Sequence, residues 1–256
     1  MTPPPRFNVL GTGVHALSLK QTVTDLVDGH ARRQRGYVCC ATAYNVNLAR
    51  SNPALRRAYN CSLFTTPDGM PLVWLGRAHG YRTITRVYGP DLLFALCDAG
   101  RVAGLRHFFF GGVPGVADQL RDRLCAKFPG LQIVGTHSPP FRELTPGEFA
   151  RLSAQIAESR ADIVWVGLST PKQEQFMAGA WDKLDASVLI GVGAAFDFHS
   201  GRVRQAPRWM QRNGLEWLHR LATEPRRLWK RYLVHNPMFV LRILAQRTGF
   251  RNYPLD

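Results

Sequence analysis

Up to about residue 196 the chain repeats one pattern, a short continuous apolar run followed by a longer amphipathic stretch. The runs are Tyr37–Tyr44, Ser62–Thr65, His107–Phe110, Leu131–Thr136, Asp162–Gly167 and Ser187–Val192. They are short enough for strands and do not alternate with polar residues, which predicts strands covered on both faces. The intervening segments Val46–Asn60, Met70–His79, Pro90–Val102, Pro114–Phe128, Pro146–Ser159 and Pro171–Leu184 are predicted helices. Several open with proline, whose missing N–H costs nothing in a first helical turn. This pattern predicts an α/β fold of Rossmann-like type: a parallel sheet with helices on both faces and ligands at the carboxyl ends of the strands.

After Gly201 the character changes. Residues 202–251 carry twelve Arg or Lys against two acids, Glu216 and Glu224, so +10 of the chain's net +15 lies there. Leu215, Trp217, Leu218, Leu228, Trp229 and Leu233 are interleaved with Arg220, Arg226, Arg227, Lys230 and Arg231. We therefore divide the chain into an α/β catalytic domain, residues 1–201, and a basic amphipathic helical appendage, residues 202–256. Residues 202–209 are expected as a loop interrupted by Pro207, with a helix over 214–223, another opening at Pro225, and a kink or division at Pro237. Apolar residues on one side and arginines on the other describe either an interfacial helix pair facing anionic phosphates or helices packed on the body with a solvated basic face.

With 45% hydrophobic residues, the 256-residue chain has enough apolar material for a sizeable core. Its five cysteines lie in apolar runs with no CxxC pair and no zinc-like spacing, which predicts buried thiols in a reducing compartment. The opening Met-Thr-Pro-Pro-Pro-Arg has no apolar core of a signal peptide, and no uncharged apolar stretch approaches ~20 residues. A cytoplasmic protein is expected.

Five segments carry candidate chemistry. In Thr66-Pro67-Asp68-Gly69, a run delivers a single carboxylate to a rigid turn before a helix. Asp68 there is placed either to take a proton from a bound substrate or simply to hydrogen-bond its own turn. Arg86 in Arg86-Val-Tyr-Gly89-Pro-Asp91 suits a bidentate diphosphate contact or a surface ion pair. Gly111 and Gly112 allow backbone to approach a phosphate or ribose, and Lys172 and Gln173, in Pro171-Lys172-Gln173-Glu174, can meet phosphate oxygens, or serve only as a helix start. Asp197, between Phe196 and Phe198, suits a base N–H or sugar hydroxyl, or closes the core. Gly11-Thr-Gly13 imitates a dinucleotide fingerprint, but no acid occurs between Gly29 and Asp68, where the ribose-binding carboxylate belongs. There is no Asp-x-Asp for a metal-bound sugar nucleotide and no P-loop, so no metal or cofactor is expected.

In their order, Thr66-Pro-Asp-Gly, Arg86-x-x-Gly89-x-Asp91, Gly111-Gly112, Val166-Gly-Leu-Ser-x-Pro171-Lys-Gln-Glu, Gly191-Val-Gly-x-x-Phe-Asp-Phe and Ala206-Pro-x-Trp…Gly214-Leu-Glu-Trp-Leu…Arg220-Leu…Glu224-Pro resemble the WecG/TagA/CpsF family of glycosyltransferases, glycosyltransferase family 26. The resemblance covers about Tyr37 to Tyr232. It implies an inverting, β-forming enzyme of cell-surface or exopolysaccharide assembly. Such an enzyme moves a hexosyl or N-acetylmannosaminyl group from a UDP-sugar to a polyprenyl-diphosphate-linked sugar. By the same resemblance Asp68 is the general base, and Arg86 and Gln173 hold the donor diphosphate. Thr42 and Asn45, Gly111 and Gly112, Pro140, Lys172 and Asp197 become donor contacts. Here Thr42-Ala-Tyr-Asn45 stands where the family has Thr-x-Asn, and Ser138-Pro-Pro140-Phe141 where it has a glycine–aromatic turn. Arg220, Arg227 and Arg231 become contacts to the lipid diphosphate and an anionic membrane at the inner face of the plasma membrane. Nucleic acid is not an expected partner, and a homo-oligomer is compatible with the tail. The competing readings are a UDP-sugar binder without turnover and a polyanion-binding protein.

Overall fold

A computed structural model describes residues 3–255. Six strands form one parallel sheet flanked by helices, in the order β4-β3-β8-β7-β5-β6. They are β3 (Gly36–Ala41), β4 (Phe64–Pro67), β5 (Arg106–Gly111), β6 (Gln132–His137), β7 (Ile163–Gly167) and β8 (Val188–Gly191); β1 (Arg6–Val9) and β2 (Thr12–His15) make a separate hairpin. The central strands β3 and β8 are buried at every residue, whereas β6 at the sheet edge is only half-buried. That difference is why the central runs lack alternation.

The chain groups into two compact units. One comprises Met1–Ser18, Cys40–Tyr88 and Gln205–Asp256, the other Leu19–Cys39 and Gly89–Arg204. In the second unit, Phe108, Phe109, Phe110, Trp165, Ile190 and Phe196 form much of the core. Trp165 Nε1 donates to Nδ1 of the fully buried His107 at 3.1 Å.

In the first unit, β1 and β2 pair antiparallel with Val9 opposite Thr12. Leu10 and Gly11 turn the chain with φ of 53° and 86°, as a two-residue hairpin demands. A Cβ on Gly13 would lie 2.5 Å from the Arg6 guanidinium. The glycines that imitate a nucleotide fingerprint are therefore hairpin glycines.

Several predicted boundaries move. The run 37–44 stops as a strand at Ala41, because Thr42 caps a helix over Ala43–Ala49 by accepting from the Asn45 amide. The helix expected over 46–60 is broken at Asn52-Pro53, where the Asn52 side chain caps a second helix, Pro53–Asn60. Residues 208 and 209, expected as the end of a loop, instead open a short helix, Arg208–Arg212, just after Pro207. Pro237 sits in the first turn of a helix over His235–Arg247, preceded by a π-helical stretch Lys230–Val234. A proline offers no N–H to the preceding turn, so the change of winding just before it has a direct cause. Of the cysteines, Cys39, Cys40 and Cys97 are buried, but Cys61 and Cys125 are exposed. Both lie at the polar ends or faces of helices, where an apolar neighbourhood in sequence does not mean burial.

Candidate functional site

The first unit gathers a charged cluster at the carboxyl end of β4. Asp68 follows that strand directly, and its amide donates to Ala41 O at 2.9 Å. The turn lies against the start of helix Ala43–Ala49: a Cβ on Gly69 would be in ordinary contact with Thr42 Cα, at 3.7 Å. Thr42 and Asn45 are thus beside the Asp68 turn. They hydrogen-bond each other, Thr42 Oγ1 to Asn45 Oδ1 at 2.9 Å, and Asn45 is buried.

Arg86 is delivered by an irregular segment in which Val87 N donates to Pro67 O at 2.9 Å. Its Nε donates to the Asp68 carbonyl. Its Nη2 lies 3.6 Å from Asp68 Oδ1 and 2.6 Å from Glu216 Oε2. The other Glu216 oxygen accepts from the Tyr88 hydroxyl at 2.9 Å, and the guanidinium lies over the Tyr88 ring at 3.9 Å. The three charged side chains are between 13% and 17% exposed, which keeps their interactions from full screening. Burial favours a neutral Arg86, but Asp68 and Glu216 outweigh it and raise its pKa. Burial, then Glu216 and Asp68, push the Tyr88 phenol well above its ordinary range, so it remains a proton donor.

The sequence gives Glu216 no site role: it stands there as one of two acids in a basic tail and as a member of a family motif. Its signal lay in Gly214-Leu-Glu216-Trp. Gly214 has a φ of 71°, and a Cβ there would come within 2.9 Å of Trp74; that close approach fixes the start of the helix Glu216–Thr223.

Of the three tail arginines, Arg220 bonds Glu224 at 3.3 Å and is 14% exposed; burial works to lower its pKa, but Tyr232, Glu224 and Tyr88 outweigh it and raise it. Arg227 also pairs with Glu224, but is 63% exposed. Arg231 lies 4.6 Å over the Tyr44 ring. The tail's apolar residues divide: Leu228, Tyr232 and Phe239 are buried, whereas Leu218, Trp229, Leu233, Val240, Leu241 and Leu244 are exposed.

In the second unit the remaining candidates follow the carboxyl ends of β5, β7 and β8. Gly112 N donates to Gly167 O at 3.1 Å. A Cβ on Gly111 would lie 2.5 Å from that same carbonyl. Gln173 is buried, and its Oε1 accepts from Gly193 N at 2.9 Å. Its neighbour Glu174 is fully buried and accepts from Thr170 Oγ1 at 2.9 Å. Lys172 is exposed and reaches the carbonyl of Phe141 at 2.9 Å, next to the exposed Pro140. Ser138 Oγ bridges this loop to Gly111 O at 3.4 Å. Asp197 is half-buried in a short helix, Ala195–His199. Among the described residues no group of three or more His, Cys, Asp or Glu is placed to hold a metal ion.

A family model described as glycosyl transferase WecG/TagA/CpsF family matches residues 7–253. The chain belongs to the WecG/TagA/CpsF family. It is therefore a glycosyltransferase, as the resemblance implied. Two relatives carry the name N-acetylglucosaminyldiphosphoundecaprenol N-acetyl-beta-D-mannosaminyltransferase. That from Bacillus spizizenii is 32% identical over 196 residues, covering 77% of this chain and 74% of its own. That from Bacillus subtilis is 31% identical over 192 residues, covering 75% and 72%. Among the described residues of this glycosyltransferase no helix is long and apolar enough to cross a membrane.

Proposed function

We propose that this chain is an inverting glycosyltransferase that moves a sugar from a UDP donor to a sugar carried on a polyprenyl diphosphate. The two named relatives favour an N-acetylmannosaminyl donor and an N-acetylglucosaminyl-diphospholipid acceptor. The observation that carries the reading is the Asp68 carboxylate on a strand-end turn with Arg86 Nη2 3.6 Å away.

Asp68 takes the proton from the attacking acceptor hydroxyl. That oxygen bonds to the donor anomeric carbon from the face opposite the diphosphate. The bond from that carbon to the diphosphate oxygen breaks, its electron pair leaves with UDP, and the configuration inverts. Arg86 supplies positive charge where the leaving diphosphate gains negative charge, the general means by which a fixed, partly desolvated cation lowers such a barrier. It would do so without a resident metal. Lys172, Gln173, Gly111, Gly112, Pro140, Asp197, Thr42 and Asn45 serve donor binding, Gln173 by holding the Gly193 amide in place.

The exposed Leu218, Trp229, Leu233, Val240, Leu241 and Leu244 beside exposed Arg227 suit an anionic membrane surface, where a lipid-linked acceptor resides. A peripheral location on the inner face of the plasma membrane follows from this reading. The test is UDP release by purified protein offered a panel of UDP-sugars with a short-chain polyprenyl-diphosphate-N-acetylglucosamine. Release with UDP-N-acetylmannosamine only when the acceptor is present is expected. Release independent of the acceptor, or UDP that does not bind at all, would contradict it.

A further inference from the structure

We infer that Glu216 is a positioning residue that draws the Arg86 guanidinium off Asp68 and so leaves Asp68 a competent base. The inference rests on the reading of Asp68 as the base that deprotonates the acceptor hydroxyl. Nε of Arg86 is tied to the Asp68 carbonyl, so the guanidinium is anchored beside the Asp68 side chain whatever else it contacts. With only that carboxylate in reach, Nη2 would close on it and hold it as a tight ion pair. Such a pair stabilises the charged form of the acid and makes it a poor proton acceptor.

Instead the short contact goes to Glu216, at 2.6 Å, and Asp68 is left at 3.6 Å. Glu216 is itself pinned. It lies in the first turn of the helix Glu216–Thr223, and its second oxygen takes the Tyr88 hydroxyl at 2.9 Å. Tyr88 is buried beneath the guanidinium. Both carboxylates reach the same nitrogen, so they lie no more than about 6 Å apart, close enough for the charge on Glu216 to be felt at Asp68. Among the described residues, Arg86, Glu216 and Tyr88 are charged or titratable groups that face Asp68 in this unit, and Tyr88 bears on Arg220 in turn. Arg86 therefore still offers positive charge to a leaving diphosphate, while its pull on the base is shared.

The experiment is the pH dependence of acceptor-dependent UDP release for wild type, Asp68→Asn, Glu216→Gln and Glu216→Asp, with UDP affinity measured alongside. Glutamine keeps the shape and one acceptor oxygen but removes the charge. The acid limb of kcat/KM is expected to move down by about one pH unit in Glu216→Gln, with about a tenfold fall at the plateau. If Glu216→Gln does not fold, Glu216→Asp serves: it retracts the carboxylate, and its limb should move the same way by less. A limb at the wild-type position in the folded variants, with activity merely lowered, would mean a structural role and overturn the inference. An active Asp68→Asn, or a wild type without an acid limb, would instead remove the base and overturn the proposed function itself. The two failures appear in different proteins and are separable.

Discussion

Gln173→Ala separates two ways in which a buried polar residue can serve this site. In the structure Gln173 is 3% exposed, and its Oε1 takes the Gly193 amide at 2.9 Å just past the end of β8. A Cβ on Gly191 would lie 2.5 Å from Gln173 Nε2, so the side chain lies against the strand end itself. Truncation leaves the Gly193 N–H without its partner. Gly193 is only half-buried, so water recovers part of that bond and the loss is about 1–2 kcal/mol. The apolar part of the side chain that disappears is worth about 1 kcal/mol more. The sum, about 2–3 kcal/mol, lowers Tm by roughly 5–10 °C in a chain of this size. Thermal unfolding followed by circular dichroism measures it, and UDP affinity should fall together with it if the loop meets the donor as proposed, because that loop loses its support. A variant whose Tm stays within about 1 °C of wild type while UDP binding is lost would refute the scaffold role. It would mean that Gln173 acts on the donor alone.

Three further expectations follow from particular contacts. Gly111→Ala would drive a Cβ to 2.5 Å from Gly167 O at a φ of +141°, and should cost at least about 3 kcal/mol, seen as loss of soluble protein or a Tm lowered by roughly 10 °C. Burial holds the His107 pKa down at about 4. Below about pH 6.5 the unfolded chain therefore binds a proton that the native one refuses; stability tied to this group is full above that pH and falls by about 3 kcal/mol as pH drops to about 4, and Tm against pH should fall less steeply in His107→Gln. Arg227→Gln should weaken binding to phosphatidylglycerol vesicles about fivefold in a salt-sensitive way. Arg220→Gln, whose guanidinium is 14% exposed and bonded to Glu224, should weaken it less; equal losses in sedimentation assays would contradict this ordering.

The parallel sheet was legible because β3, β7 and β8 are buried on both faces, so their residues form unbroken apolar runs. The hairpin of β1 and β2 was not legible. Arg6, Phe7, Asn8 and Val9 alternate exposed or half-buried with buried, a pattern of four residues too short to stand out beside two glycines that imitate a nucleotide loop. The helix break at Asn52-Pro53 had both of its signals in the sequence, a capping side chain followed by proline, yet the apolar periodicity ran through it.

For the site, Asp68 and Arg86 were legible because each sits in a short, turn-rich motif next to an apolar run. Glu216 was not, because its partners Arg86 and Tyr88 lie 130 and 128 residues away and no local pattern encodes such a pairing. The burial of Gln173 escaped for the same kind of reason. A polar residue in a first helical turn faces a ligand or a neighbouring loop with the same sequence signature, and only Gly193, 20 residues on, decides which.

The central claim is that Asp68 moves the acceptor's proton in a glycosyl transfer. It is tested most directly by Asp68→Asn, assayed for sugar transferred to polyprenyl-diphosphate-N-acetylglucosamine and, by calorimetry, for UDP binding. The account predicts transfer reduced by at least about 10²-fold, with UDP affinity within about twofold of wild type and a product of inverted configuration in what remains. Transfer at the wild-type rate by the Asn variant would contradict it.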